Sequence, residues 1–177
     1  MTDILDVGCG TTKRPGAVGI DMNPRCGADV VHDLNVFPWP LDDDSFDEVY
    51  ADNVMEHLED VVRAMEEIHR VSRPGALVKI VVPYFRSRWA AIDPTHRHPF
   101  AVDSFAYFDP ADPIHDRYRY SEATFAIERL VFNETIEMRP LKRLIKRYAD
   151  RHPQRYEAHF SQVWPLDDLT FYLRVLK

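Results

Sequence analysis

The residues that could do chemistry fall into three groups: a glycine turn, aspartates that close short apolar runs, and a histidine-bearing loop. Leu5-Asp6-Val7-Gly8-Cys9-Gly10-Thr11 reads as a buried strand ending in Gly-x-Gly. Such a turn lets the backbone approach a ligand at the carboxyl edge of a sheet. A dinucleotide fingerprint needs a third glycine at position 13, where Lys13 stands, which counts against NAD or FAD. Asp21, Asp33 and the pair Asp52-Asn53 each follow a short apolar run. Farther on, Asp93-Pro94-Thr95-His96-Arg97-His98-Pro99-Phe100 gathers a carboxylate and two imidazoles, with Asp109 and His115 beyond. These groups ligate zinc or iron, but no helical His-x-x-x-His spacing is present and no metal is expected. Histidine titrates near neutrality, so His96, His98 and also His57 are the candidate general bases. Hydrogen bonding or packing is the competing reading of each.

The elements that must position these groups follow from the apolar pattern. Ile4–Val7, Val18–Ile20, Ala28–Val31, Ser45–Ala51 and Leu77–Val82 are short apolar runs stopped by turn residues, and read as strands. Val54, Leu58, Val61, Val62, Met65, Ile68 and Val71 recur every three or four residues, predicting a helix over 54–71. Ser72-Arg73-Pro74-Gly75 is expected to end it in a turn. Thr124–Asn133 and Leu169–Leu176 read as strands, and Leu141, Leu144, Ile145 and Tyr148 give a basic helical segment. Buried strands separated by crossovers point to an α/β protein with a largely parallel sheet.

Five segments, in order, carry a resemblance. Leu5-Asp6-Val7-Gly8-Cys9-Gly10-Thr11 resembles the first motif of class I S-adenosylmethionine (SAM) dependent methyltransferases. Val18-Gly19-Ile20-Asp21-Met22-Asn23-Pro24 resembles their second motif, in which an acidic residue ends strand two. Phe37-Pro38-Trp39-Pro40-Leu41-Asp42-Asp43-Asp44-Ser45-Phe46-Asp47-Glu48-Val49 is similar to their run into strand four. Val54-Met55-Glu56-His57-Leu58 matches the following helix opening, and Val71-Ser72-Arg73-Pro74-Gly75-Ala76-Leu77 the approach to strand five. The chain is identified as a small, compact member of that superfamily. The resemblance implies a Rossmann-like fold: a seven-stranded, mostly parallel sheet of order 3-2-1-4-5-7-6, with strand seven antiparallel and helices on both faces. It implies SAM as cofactor across the carboxyl ends of strands one, two and four. Gly8 and Gly10, with Cys9 and Thr11 in the same turn, would approach the methionine part, and Asp6 would orient its amino group. Asp21, followed by Met22, would take the ribose hydroxyls. Asp33 would accept from the adenine amino group with Leu34 against the ring, and Asp52 and Asn53 would lie near the methionine. Turn and cap work is the other reading of Asp21 and Asp33.

One departure stands out. Only seven residues, Thr11 to Ala17, join the first two strands, Pro15 and Gly16 among them. A parallel crossover commonly needs about a dozen or more, so the first helix of the family cannot fit. That helix normally offers its N-terminal amides to the methionine carboxylate. Thr11, Thr12, Lys13 or Arg14 is the expected substitute. The family's N-terminal helices are also missing, and residues 83–122 are the candidate lid and substrate-binding insertion within a single 1–177 domain. Tyr84, Phe85, Trp89, Phe100, Phe105, Tyr107 and Phe108 suit a closing apolar pocket or a local core. Arg86, Arg88 and Arg97 suit an anionic substrate.

Composition narrows the rest. The 177 residues are 45% apolar with a net charge of −7, which argues against a uniformly basic nucleic-acid binder. Residues 1–85 hold seven basic and sixteen acidic side chains, residues 86–177 fifteen and thirteen. The basic side chains are densest between Arg139 and Arg155. Two cysteines, no apolar run of spanning length and no signal-like start lead to the expectation of a cytoplasmic protein without a membrane span. The leading function is methyl transfer from SAM to an O, N or C nucleophile of a small molecule. The alternative is a catalytically inactive methyltransferase-like module that binds SAM or a partner. Nucleic acid is not expected as substrate, since no Asn/Asp-Pro-Pro-aromatic motif follows strand four. An open edge strand and an aromatic lid leave room for a homodimer.

Overall fold

The computed structural model describes residues 3–134 and 140–177. One sheet contains β1 (Ile4–Val7), β2 (Val18–Asp21), β3 (Val30–Val31), β4 (Phe46–Asp52), β5 (Ser72–Pro83), β6 (Thr124–Phe132) and β7 (Asp168–Leu176). Its order is β3-β2-β1-β4-β5-β7-β6. The first five strands pair in parallel, and β7 runs antiparallel to both β5 and β6. The helices are α1 (Val61–Val71), α2 (Trp89–Ile92), α3 (Pro113–Tyr118), α4 (Pro140–Arg151) and α5 (Pro153–His159). This is the Rossmann-like class I methyltransferase arrangement, mostly parallel, in the order the resemblance implies.

Side-chain alternation divides the sheet into two faces. Leu5 and Val7, Val49 and Ala51, Val78, Ile80 and Val82, and Phe171, Leu173 and Val175 are all buried on one face. Ring contacts seat His69 of α1 on Phe125, Phe105 on Phe171, and Tyr156 of α5 on Phe132. The register brings Phe125, Phe171 and Phe132 to that same face. On the opposite face, pairing aligns Asp6, Tyr50, Lys79 and Tyr172 in one cross-strand row. Arg14 lies 3.8 Å over the Tyr50 ring and Lys79 5.4 Å over that of Tyr172. Lys79 also pairs with Glu134. Cation–ring and ion-pair contacts thus cover strands that a longer β1–β2 connection would otherwise shield.

Three expectations are corrected. The helix starts at Val61, not Val54: Asp60 caps it by accepting from the Arg63 N–H at 3.0 Å. Val54, Met55 and Leu58 are buried because a separate 3-10 turn, Met55–His57, folds them onto the core, so apolar spacing runs past the true helix start. The third strand is only Val30–Val31. Finally, β5 begins directly at Ser72; the predicted 72–75 turn is absorbed as an irregularity opposite Phe46–Glu48, with Gly75 at φ +77°. The 83–122 segment holds α2, a turn at Ala106–Phe108 and α3. Of the basic segment, Arg139 lies outside the described residues. Helix α5 was not predicted; Pro153 at its start leaves too short a periodic stretch to detect.

Candidate functional site

The carboxyl ends of β1, β2 and β4 meet around the glycine turn. Gly8 and Gly10 both take the left-handed backbone, at φ +65° and +52°. A Cβ on Gly8 would sit 2.4 Å from Val54, so packing requires this glycine; a Cβ on Gly10 would enter open space. Asp21 holds the turn, accepting from the Gly10 N–H at 2.9 Å and from the Asn23 N–H at 2.8 Å through its other oxygen. Each oxygen keeps a lone pair for a further donor. Beside it lies a cleft of about 260 Å³ lined by Gly8, Asp21, Met22, Asp33, Leu34 and Asn53, with His57 at its edge. Asp33 also holds the Asn35 amide.

On the other side of Gly8 a second hollow of about 540 Å³ is lined by Asp6, Cys9, Gly10, Thr11, Arg14 and Asp52 among others. Asp6 is buried and accepts from the Arg14 N–H; burial holds its pKa above the usual value. The Arg14 guanidinium pairs with one oxygen of Asp52, whose other oxygen is buried without a partner. The Cys9 thiol is pushed up to about 11 by burial. Lys13 is corrected: its ammonium is held by both oxygens of Asp29, at 2.9 and 2.8 Å, and lines neither hollow. Asp29 also accepts from the Gly19 N–H, which ties that pair to β2. Of the predicted cations only Arg14 faces the site.

A larger cavity of about 770 Å³ adjoins at the ends of β4 and β5. It shares Asn53 and His57 with the 260 Å³ cleft, and α2 and the following turn contribute Trp89, Ile92, Asp93 and His96. Four aromatics of the 83–122 segment, Tyr84, Phe100, Phe105 and Phe108, are instead buried core. Glu56, Asp93, Asp167 and Asp168 line the cavity, and among the described residues no lysine or arginine does. This corrects the expectation of arginines for an anionic substrate. Arg86 lines a different hollow, Arg88 lies on Trp89 and Arg97 pairs with Glu59. His98 is corrected too: it lines none of these hollows, and its Nε2 is buried without a hydrogen-bond partner.

Sequence reasoning quoted Glu56 within a motif but did not single it out. It is 1% exposed, and burial pushes its carboxyl up to about 7. Its backbone carbonyl accepts from the Arg97 N–H at 2.8 Å, which staples the histidine loop to the Met55–His57 turn. Its His96 neighbour is 3.9 Å away, and the His57 and His96 rings meet edge-on at 4.7 Å. Asp168 is raised to about 6 by burial and by Asp167 beside it. No spacing in the sequence joins residues 56 and 96; only the loop closure does.

The acid at the end of β2, the open Gly10 turn, and Asp52 with one oxygen on Arg14 and the other unpartnered match a ligand with hydroxyls at one end and both charges of an amino acid at the other. The residues present therefore fit SAM. Residues 5–80 match a family model described as a methyltransferase domain. Many solved structures share the fold. One is a putative methyltransferase from Haloferax volcanii in complex with the Trm112 methyltransferase activator, 18% identical, covering 98% of this chain and 82% of that one at a TM-score of 0.57. Another is a SAM-dependent methyltransferase from Archaeoglobus fulgidus, 18% identical, covering 98% and 86% at 0.57. A third is the [4+2]-cyclase SpnF, 15% identical, covering 99% and 75% at 0.57. No curated protein matches the chain. The chain has the class I methyltransferase fold, and its residues 5–80 match the methyltransferase-domain family. Among the described residues no helix is long and apolar enough to cross a membrane.

Proposed function

We propose that this protein is a SAM-dependent methyltransferase acting on a small molecule held in the cavity beneath residues 89–96. The observation that carries this is the junction of the two spaces: Asn53 and His57 line both the cofactor-sized cleft and the larger cavity. A donor in one and an acceptor in the other meet there, and fixing their approach is the main service a protein gives a bimolecular transfer. When bound, SAM supplies an electrophilic methyl group. Asp21 would hold the ribose, Asp33 and Leu34 the adenine, and Asp52 with Arg14 the charged methionine end. Segment 83–122 would act as the lid, excluding water from the reacting atoms. His57 and His96 are the catalytic candidates that reach the cavity. Its four carboxylates favour a neutral or cationic substrate over an anionic one.

Calorimetric titration with SAM and with S-adenosylhomocysteine, with NAD as control, tests the cofactor assignment. Binding of both adenosyl ligands and not of NAD is expected. Absence of adenosyl binding overturns it and leaves the partner-binding module as the reading.

A further inference from the structure

We propose that Glu56, His57 and His96 form a binding site for one divalent transition-metal ion, zinc by donor type, with its open positions facing the large cavity. One atom from each residue lies within 4.8 Å of the others. An ion centred among three atoms at that spacing is about 2.8 Å from each, and side-chain movement of about 0.7 Å brings it to the roughly 2.1 Å of a zinc–oxygen or zinc–nitrogen bond.

The hydrogens around the cluster are already assigned. Thr95 Oγ1 has a single hydrogen, which it donates to Asp93 Oδ1 at 2.7 Å. Its 2.9 Å contact with His57 Nδ1 is therefore an N–H donated by the imidazole. His96 Nδ1 lies 3.3 Å from the Ala90 carbonyl, which can only accept. With Nδ1 so engaged, Nε2 is the ring atom left to hold a cation, and that of His96 lies 3.9 Å from Glu56. Among the described residues no other residue hydrogen-bonds either oxygen of Glu56, although the side chain is 1% exposed. One ligand atom of each residue thus converges on one space, and no other described residue donates to the Glu56 carboxylate there. An unpaired buried carboxylate is costly, and a divalent cation removes the cost. The Asp93–Thr95–His57 chain is the outer support that ligating histidines commonly have.

Two histidines and a glutamate leave at least one coordination position open, as in catalytic rather than structural zinc sites. That position faces the cavity in which, on the proposed function, the substrate sits. The substrate class this selects is a neutral compound bearing a hydroxyl, whose oxygen would bind the ion beside the methyl donor.

The test uses the intact protein, stripped with a chelator and titrated with Zn²⁺ or Co²⁺ alone, without any adenosyl ligand. Its failure is thereby distinguishable from failure of the cofactor assignment. Wild type and Cys26→Ser are expected to bind one equivalent, and His96→Ala and Glu56→Gln to bind more than about tenfold more weakly. The Cys26→Ser control addresses the second cluster, Cys9, Asp21 and Cys26. The cobalt spectrum of wild type is expected to lack thiolate charge-transfer absorption. No metal binding by wild type, unchanged binding in His96→Ala, or a thiolate band lost in Cys26→Ser would each overturn the proposal. Circular dichroism checks folding; if Glu56→Gln does not fold, His96→Ala and the cobalt spectrum decide.

Discussion

At the scale of single residues, neighbouring side chains of like type have been given different tasks by their partners. Lys13 and Arg14 are adjacent cations, yet Asp29 draws one off the site while Asp52 holds the other in it. Arg14→Ala should therefore weaken S-adenosylhomocysteine binding by about tenfold, the order of one charge-assisted contact, and Lys13→Ala should leave it unchanged, as read by calorimetry. Equal effects would remove Arg14 as the methionine carboxylate's partner. Asp168 gives a pH prediction. Its folded pKa, about 6, is above the ordinary 3.8, so the folded state holds its proton longer than the unfolded chain does. Its contribution is fully present below the ordinary value and is lost as pH rises through the folded one. In chelator-treated protein, Asp168→Asn should melt higher than wild type at pH 7, with the gap closing below about pH 4. A gap independent of pH would contradict this assignment.

At the scale of elements, the connections decide more than the strands. Between β1 and β2 the chain makes one short turn at Gly10–Thr12 rather than a helix, and Arg14 lies back over Tyr50. Helix α1 begins where Asp60 caps it, seven residues later than apolar spacing alone implies. Asp60→Ala should cost about 1 kcal/mol in chemical denaturation, whereas a helix already running through residue 60 would barely notice the change. The periodic pattern from Val54 was legible, but it reports burial, and a turn folded onto the core is buried in the same rhythm as a helix. Residues 83–122 have no period at all, and the Ala106–Phe108 turn is seated on the core through the neighbouring Phe105 on Phe171.

At the scale of the molecule, the site lies along one edge of the sheet and spans β1, β2, β4 and β5, with the 89–96 segment closing it. A ligand bridging those parts stabilises the fold as a whole. S-adenosylhomocysteine at about 100 times its Kd should contribute about 2.7 kcal/mol, a rise in Tm of roughly 5–10 °C for a chain of this size. Thermal unfolding monitored with and without the ligand measures it, and an unchanged Tm would count against the proposed cofactor. On the opposite sheet face, with its Asp6–Tyr50–Lys79–Tyr172 row, the short β1–β2 connection lays Arg14 over Tyr50 and its backbone N–H on Asp6.

The amino-acid sequence by itself determined the strands, their order through ordered motifs, and the aspartates, Asp21 and Asp33, that line the cleft at the end of β2. Those are local signals: an apolar run, its stop, and the acid that follows lie within a few residues of one another. Tertiary structure alone decided which cation faces the site, that His98 stays outside it, and that Glu56 meets His96 across forty residues. Such pairings depend on where a loop closes and on which hydrogen each group has already spent. Neither is written in spacing along the chain.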